Sequence, residues 1–529
     1  MLPSLTIPTS NLYIIYQLKK HGFDGYLVGG SVRDLIAQQR QYYQASQSDN
    51  PLDFDFTTNA HPTEIMSIFP KSFYENNFGT VSITPNDLLS LIKKETKNPP
   101  HSLIREEKNL SSEQIPLCQA TKIHQSLTSP AATVTEKKTY NFEITTYRTG
   151  EKYENNHRQP SQLSWGKNIE ADLARRDFTI NALALTIPLE ELRTIFQNKQ
   201  WQANYQFNNY QLIDQYKGIS DLKLNLIKAI GDPLQRFQED ALRLIRAVRL
   251  SVQLNFNIES ATYDAIKQHA SLIKTISGER IRDEFLKILA SNFPKEGIML
   301  LEETNLLQEI LPELIACRGI AQSGHHLTDV WTHSLDALSC CTNPDPIVRL
   351  ATLLHDIGKP ATHQLLGGKN TFYNHQLIGA FMAKKIAQRL RLSKKDTQRI
   401  FILVRQHMFH YQPQNTDAAI RRFMRQVGLE NLNDMLDLRE ADRLGSNARK
   451  TSWRLEEMKK RIITQLNQPL EVRDLEISGY DLMTEFNLKP SPQLGRILNN
   501  LLEQVLENCQ LNTKEKLLAL AAEIIKNED

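Results

Sequence analysis

Two aspartates, Asp53 and Asp55, stand in Leu52-Asp53-Phe54-Asp55-Phe56, where apolar and acidic side chains alternate with period 2. On a strand of that period both carboxylates leave the same face. Carboxylates so close repel each other unless a cation sits between them. Hard oxygen donors favour Mg²⁺, which also takes substrate phosphates as ligands. Such a pair can hold two metals that activate an attacking hydroxyl and stabilise a leaving pyrophosphate. A lone D-x-D is more often a solvated strand edge, so the neighbourhood decides. Upstream, Gly29-Gly30-Ser31-Val32-Arg33-Asp34 follows the apolar strand Tyr26–Val28 and opens a helix. Glycines there let backbone N–H groups approach a phosphate, and the helix N-terminus adds partial positive charge. Arg33 could clamp a triphosphate; the competing reading is an ordinary glycine turn with a surface arginine. Downstream, Arg175-Arg176-Asp177 within Arg175–Ala182 offers phosphate and ribose contacts in one place.

Two further groups could do chemistry. After Gly231-Asp232-Pro233, residues Phe237, Ala241, Ile245 and Val248 recur at helical spacing. Glu239, Arg243 and Arg246 share another face of that helix, and Asp240 and Arg243 are i, i+3 neighbours. For an isolated helix this reads as surface ion pairing. Later come His333, His355-Asp356, His375, His407 and Asp442, each on a predicted helix. One histidine is usually a packing or surface residue. Several, with a His-Asp pair and a distal aspartate, form a metal-ligand pattern.

The elements that must position these groups change character along the chain. Strands are predicted over Tyr26–Val28, Leu52–Phe56, Val81–Thr84 and Tyr140–Tyr147. In the last of these, Glu143 alternates with Phe142 and Ile144. It reads as a solvent-facing glutamate, with a third catalytic carboxylate as the alternative. The segment Pro85–Lys138 is polar and reads as an insertion in a hairpin, partly disordered, with one short helix over Leu88–Lys94. After residue 170 strand signals become sparse. Helices are predicted across 232–290, 330–342, 377–392, 395–410 and 495–527. The fold class is therefore α+β, a small mixed head followed by a long all-α region. The 529 residues suffice for two to four domains, and a 40% hydrophobic content supports real cores. A net charge of +3 does not announce a nucleic-acid binder, so any basic surface must be local. Five cysteines without metal-ligand spacing, no charged leader and no long apolar run point to a reducing, cytoplasmic setting and no membrane.

The motifs LVGGSVRD, LDFDF and ARRDFTINA, in that order, resemble the class II nucleotidyltransferase superfamily, which holds CCA-adding enzymes and bacterial poly(A) polymerases. The resemblance implies a polymerase-beta-like head with Mg²⁺ on Asp53 and Asp55. It implies triphosphate contacts from Gly29, Gly30 and Arg33, and nucleotide recognition by Arg175, Arg176 and Asp177. Glu239, Asp240 and Arg243 match the family's EDxxR motif. There Asp240 and Arg243 would imitate a Watson–Crick edge to select C or A, with Arg246 and Arg249 reaching phosphates or the tRNA end. The helix 278–289 gets a structural role. The His/Asp pattern resembles the HD phosphohydrolase superfamily. Its four primary positions would be His333, His355, Asp356 and Asp442, with His375 and His407 as accessory ligands for Mn²⁺, Ni²⁺, Co²⁺ or Mg²⁺. The implied domains are a head at 1–187, a templating and RNA-binding neck at 188–300, an HD domain at 301–450 and a tRNA-contacting tail at 451–529. The implied reaction is template-independent addition of CCA to tRNA from CTP and ATP, with a second phosphohydrolase activity. The alternatives are a poly(A) polymerase, a split C-adding or A-adding enzyme, and, from another class, an HD hydrolase whose head only binds nucleotides. The oligomeric state stays open.

Overall fold

The computed structural model describes residues 4–40, 54–74, 79–95, 141–152, 162–197, 202–322, 328–409, 411–446 and 452–528. Asp53 and most of the polar segment, residues 96–138, lie outside the described residues. Two compact units are present: one runs up to Pro312 and the other starts at Glu313.

The first unit is built on strands β1 (Leu5–Pro8), β2 (Tyr26–Val28), β3 (Asp55–Thr58), β4 (Phe73–Tyr74), β5 (Thr80–Ile83), β6 (Phe142–Thr146), β7 (Arg148–Lys152), β8 (Gln162–Trp165), β9 (Ala184–Thr186), β10 (Asn204–Phe207) and β11 (Gln211–Ile213). Seven of them form a mixed sheet in the order β11-β9-β2-β3-β6-β5-β4. Its centre follows from alternation: Phe56 and Ile144 are fully buried, while Asp55 and Glu143 on the same strands are exposed. Strand β3 runs parallel to β6 with Asp55 opposite Glu143, and antiparallel to β2 with Asp55 opposite Val28. The polar segment does interrupt a hairpin, because β5 and β6 pair antiparallel from Thr80↔Thr145 to Ile83↔Phe142. Its first part is a packed helix, Pro85–Glu95, which buries Leu88, Leu89 and Ile92. That helix is longer than the sequence suggested. Strands β9 to β11 fall where strand signals are sparse, and β11 completes the sheet from beyond residue 187.

The neck departs from the single helix implied by its apolar spacing. One helix spans Pro233–Glu239, capped by Asp232 through Leu234 N–H, and a second spans Leu242–Leu254. Asp240 between them is extended, with φ −148° and ψ 103°. Phe237, Ala241, Ile245 and Val248 are all buried, so one apolar stripe continues across two helices.

Among the described residues the second unit is helical apart from a two-stranded ribbon, Gln364–Leu366 with Lys369–Thr371. Helices Val330–Cys340, Pro346–Leu354, His375–Arg389, Lys394–Gln406 and Leu432–Gly445 form its core, and further helices run to Glu528. No helix among the described residues is long and apolar enough to cross a membrane. Cys317, Cys340, Cys341 and Cys509 are thiols.

Candidate functional site

The head motifs meet at one end of the central strands β2 and β3 of the seven-stranded sheet. Gly29 ends β2 with φ +77°, a left-handed turn that glycine adopts without strain. A β-carbon there would lie 3.0 Å from Arg176 Nη1 and 3.7 Å from Asp55 Oδ2. The missing side chain thus leaves room for a cation and a carboxylate beside bare backbone. Gly30 opens the helix Gly30–Arg40. Arg33, nearly buried, donates from Nε and Nη2 to Asp34 (2.7 and 3.1 Å) and from Nη1 to Asn181 Oδ1 (2.9 Å). Asn181 Nδ2 in turn donates to Asp177 Oδ1 at 3.1 Å, and Phe178 N–H donates to the same oxygen at 2.8 Å. Burial raises the Asp177 pKa, but Arg246 and these donors outweigh it and hold the carboxyl below its ordinary range. Asp55 and Glu143 sit side by side on parallel strands, where like charges repel unless a cation intervenes. That donor set suits a hard divalent metal.

Asp172 carried no signal in the sequence, yet it organises the arginine pair. It is fully buried on helix Ile169–Ala174. Its Oδ1 accepts from Arg175 Nε (3.0 Å), Arg175 Nη2 (2.9 Å) and Arg148 N–H (3.2 Å), and its Oδ2 accepts from Arg176 Nη2 (3.1 Å). The i, i+3 and i, i+4 spacing to the two arginines was its only available signature. Breaking a buried ion pair by deleting one partner costs about 3–5 kcal/mol. Asp172→Ala should lose stability on that order in urea denaturation and raise KM for nucleotide, because both guanidinium groups lose their anchor.

The neck residues are each held by a partner. Arg243 donates from Nη2 to the Arg175 carbonyl (2.7 Å), and from Nη1 to the Arg236 carbonyl (2.9 Å) and Glu239 (2.8 Å). Asp240 faces Arg280 at 2.9 Å rather than Arg243. Arg246 pairs with Asp177 at 2.9 Å, and Arg249 with buried Glu284 at 3.1 Å. The helix Gly278–Leu289, given only a structural role from sequence, therefore supplies the partners of two neck residues. A continuous polar chain runs Asp34–Arg33–Asn181–Asp177–Arg246, and Arg243 is held beside it on the carbonyl of Arg175, two residues before Asp177.

In the second unit the six predicted residues converge. His333 Nε2 lies 3.1 Å from both His355 Nε2 and Asp442 Oδ1. Asp356 Oδ2 is 3.2 Å from His355 and 3.5 Å from His333, while its Oδ1 faces His375 at 3.4 Å and His407 at 3.7 Å. His333, His355 and Asp356 form one candidate metal cluster, and Asp356, His375 and His407 form another. Asp356 belongs to both. Nδ1 of His355, His375 and His407 each lies 2.7 Å from a backbone carbonyl, of Thr352, Phe372 and Val404 respectively. Donation to those carbonyls leaves Nε2 as the inward lone pair. Nε2 of His375 and of His407 is buried and makes no hydrogen bond. A cation fits this set better than water does. Burial lowers the His355 pKa, but Asp356 and Asp442 raise it to about 10, so a proton is drawn to the place a cation would take. Burial opposes ionisation of Asp356, yet His355 and Lys359 hold it well below its usual range. Lys359 was not singled out from the sequence; its Nζ is 2.6 Å from Asp356 Oδ2 and it is buried. Gly358 makes the convergence possible, because a β-carbon there would be 2.2 Å from the His375 carbonyl oxygen.

Residues 25–98 and 105–228 match the model of the poly A polymerase head domain. Residues 255–317 match the probable RNA and SrmB-binding site of polymerase A, and 376–521 match tRNA nucleotidyltransferase domain 2, putative. The chain is 33% identical over 351 residues to the A-adding tRNA nucleotidyltransferase of Deinococcus radiodurans, covering 64% of this chain and 75% of that protein. It is 32% identical over 361 residues to the CC-adding tRNA nucleotidyltransferase of Thermus thermophilus (66% and 76%). It is 27% identical over 518 residues to the CCA-adding enzyme of Lactococcus lactis subsp. lactis (97% and 96%). The fold matches that of the Bacillus stearothermophilus CCA-adding enzyme in complex with CTP, with a TM-score of 0.59, 22% identity and 98% of each chain covered. A mixed-sheet nucleotidyltransferase head joined to a largely helical body, with these relatives, makes the chain a member of the tRNA nucleotidyltransferase family.

Proposed function

We propose that this chain adds C, C and A to the 3′ end of tRNA from CTP and ATP, without a nucleic-acid template, and releases pyrophosphate. The observation that carries this reading is the polar chain from Arg33 through Asn181 and Asp177 to Arg246, with Arg243 fixed on the Arg175 carbonyl. It brings the glycine-pair motif, the double-arginine motif and the neck motif together, which supports a site of class II type. Mg²⁺ held by Asp53 and Asp55, with Glu143 as a third oxygen donor, would activate the 3′ hydroxyl and neutralise the leaving pyrophosphate. Arg33, Arg175 and Arg176 bind the phosphates and ribose, and Asp240 and Arg243 read the base edge. The near full-length likeness to a CCA-adding enzyme favours the whole CCA product over the A-adding and CC-adding activities named for shorter-matching relatives. The work belongs in the cytoplasm, where the thiols stay reduced.

Sequencing the products formed on tRNA lacking its 3′ end, with each triphosphate alone and together, tests this. A tail of A alone would reject it in favour of poly(A) synthesis. Arrest after CC, or a requirement for pre-made CC, would indicate a split enzyme. The templating role has its own test. A base-edge hydrogen-bonding pair is worth about 1–3 kcal/mol of discrimination, roughly 5- to 150-fold. Asp240→Ala and Arg243→Ala should raise misincorporation of G and U within that range before they abolish transfer. Unchanged fidelity in both would remove templating from these residues.

The second unit supports a second activity, hydrolysis of phosphate esters at an HD-type centre. The uncommitted Nε2 atoms of His375 and His407 around the shared Asp356 favour it. Mn²⁺, Ni²⁺, Co²⁺ or Mg²⁺ held by His333, His355, Asp356 and Asp442, with His375 and His407, would activate water against the ester. On this reading the chain comprises head, neck, HD domain and a tRNA-contacting tail from about residue 451.

A further inference from the structure

Charge is concentrated on one helical hairpin of the second unit. Between His375 and His407 stand eight Lys and Arg residues and one acid, Asp396, a balance of +7 in a chain whose total is +3. Glu313 engages Arg389, and Asp345 and Asp434 engage Arg399. The other six are Lys384, Lys385, Arg391, Lys394, Lys395 and Arg405, and all but half-buried Lys384 are exposed. The two helices, His375–Arg389 and Lys394–Gln406, run antiparallel. The N-terminal residue of the first, His375, lies with the C-cap of the second, His407, at a ring separation of 5.4 Å.

Aromatic surface is interleaved with this charge. Phe381 is 54% exposed and packs edge-on against Phe401, with ring centroids 5.4 Å apart. Lys384 Nζ sits 5.6 Å over the Phe401 ring. Ile378 lies one turn from Phe381 towards His375, and Met408 lies next to His407; both are exposed, as is Tyr373 at 68%. Large apolar side chains grouped in water mark a contact surface. The chemistry narrows what covers it. A second copy of the same face would set its lysines and arginines against the same cations. An apolar partner would leave the lysines unmatched. Single-stranded RNA answers both features, because bases stack on exposed aromatic faces while phosphates meet Lys and Arg.

We propose that the face of helices His375–Arg389 and Lys394–Gln406 is a platform for single-stranded RNA. Bases stack on Phe381, which Phe401 supports, and Lys384, Lys385 and Arg405 meet the phosphates. The platform leads a strand end to the His/Asp cluster between His375 and His407. Only this last direction rests on the phosphoester-hydrolase reading; the binding does not.

The test uses the full chain and a mixed-sequence 12-nucleotide single-stranded RNA containing 4-thiouridine. Photocrosslinks mapped by mass spectrometry should include peptides spanning Tyr373–Met408. Crosslinks confined to residues before Pro312 would overturn the proposal. Affinity for the same RNA is then measured against salt. Combined Lys384→Glu, Lys385→Glu and Arg405→Glu should flatten the slope of log K against log salt by about 2, as expected for three lost phosphate contacts on a single strand. Phe381→Ala should weaken binding by about 5-fold or more, and Phe381→Trp should restore it. An unchanged slope together with unchanged Phe381→Ala affinity, or a shift in sedimentation showing that this face joins two copies, would also overturn it. Nucleotide addition to tRNA should persist in all these variants. Crosslinking here without any ester hydrolysis would reject the hydrolase reading and leave the platform standing.

Discussion

Asp55→Ala is expected to abolish nucleotide incorporation into tRNA lacking its 3′ end, by at least about a thousandfold. The magnitude follows from position. Asp55 opens β3 with its carboxylate at the bare backbone of Gly29 and in register with Glu143. Metal-assisted charge stabilisation is worth several kcal/mol, and each 1.4 kcal/mol is a factor of ten in rate. Stability should not fall with activity. Asp55 is exposed, so its loss removes little buried contact and the thermal midpoint should hold. Asp55→Asn keeps shape without charge and should be equally inactive. A drop in midpoint with only partial loss of rate would make Asp55 a structural residue. Metal binding in the second unit should be untouched by either change.

The head was legible in the sequence because its chemistry depends on residue types that leave few alternatives. A glycine pair after an apolar strand, a period-2 acidic pair and two adjacent arginines each have a local signature. What escaped was the set of residues that act through them. Asp172 looks like any first-turn helix acid, and only its complete burial reveals that it anchors Arg175 and Arg176. Glu284 and Arg280 sit four apart on one helix, where spacing alone suggests that they pair with each other. Instead each reaches the neck, to Arg249 and Asp240. The break at Asp240 was hidden for a related reason. The apolar stripe Phe237, Ala241, Ile245 and Val248 stays buried across it, and no glycine or proline marks it. Strands β9 to β11 are three or four residues long, too short for periodicity to register, and are held by pairing to distant strands.

The neck changes what selectivity requires. The candidate base or phosphate contacts there already have protein partners: Arg243 two carbonyls and Glu239, Arg246 Asp177, Arg249 Glu284, although Arg246 Nε and Arg249 Nε make no hydrogen bond. A nucleotide bound as proposed would therefore exchange some of these partners. Such exchange discriminates well, because an incorrect base leaves a buried donor unpaired at a cost of about 1–3 kcal/mol. On the proposed templating role, fidelity should depend on the partners as much as on Asp240 and Arg243.

The second large effect is expected from Asp356→Ala, which should remove bound divalent metal from the second unit altogether. Asp356 is the only residue common to the two candidate clusters, with Oδ2 toward His333 and His355 and Oδ1 toward His375 and His407. Residues that merely orient ligands control metal affinity by about 10- to 100-fold; loss of a shared ligand should exceed that in elemental analysis after dialysis. Folding gives an independent readout. A metal bound only by the native state stabilises it by about 2.7 kcal/mol at a hundred times Kd. The wild-type chain should therefore show a metal-dependent rise in thermal midpoint that the variant lacks. Lys359 sharpens the comparison. Its ammonium already lies 2.6 Å from Asp356 Oδ2 and is nearly buried, so it could supply the positive charge the carboxylate needs. If it alone does so, chelators will leave the wild-type midpoint unchanged, and Asp356→Ala will destabilise by exposing an uncompensated buried charge without altering metal content. The two outcomes differ in the metal dependence and not in the size of the destabilisation. In both, nucleotide addition should survive, since Asp55, Arg33 and the double-arginine motif belong to the other compact unit. Loss of addition in Asp356→Ala would mean that the two centres are not separable.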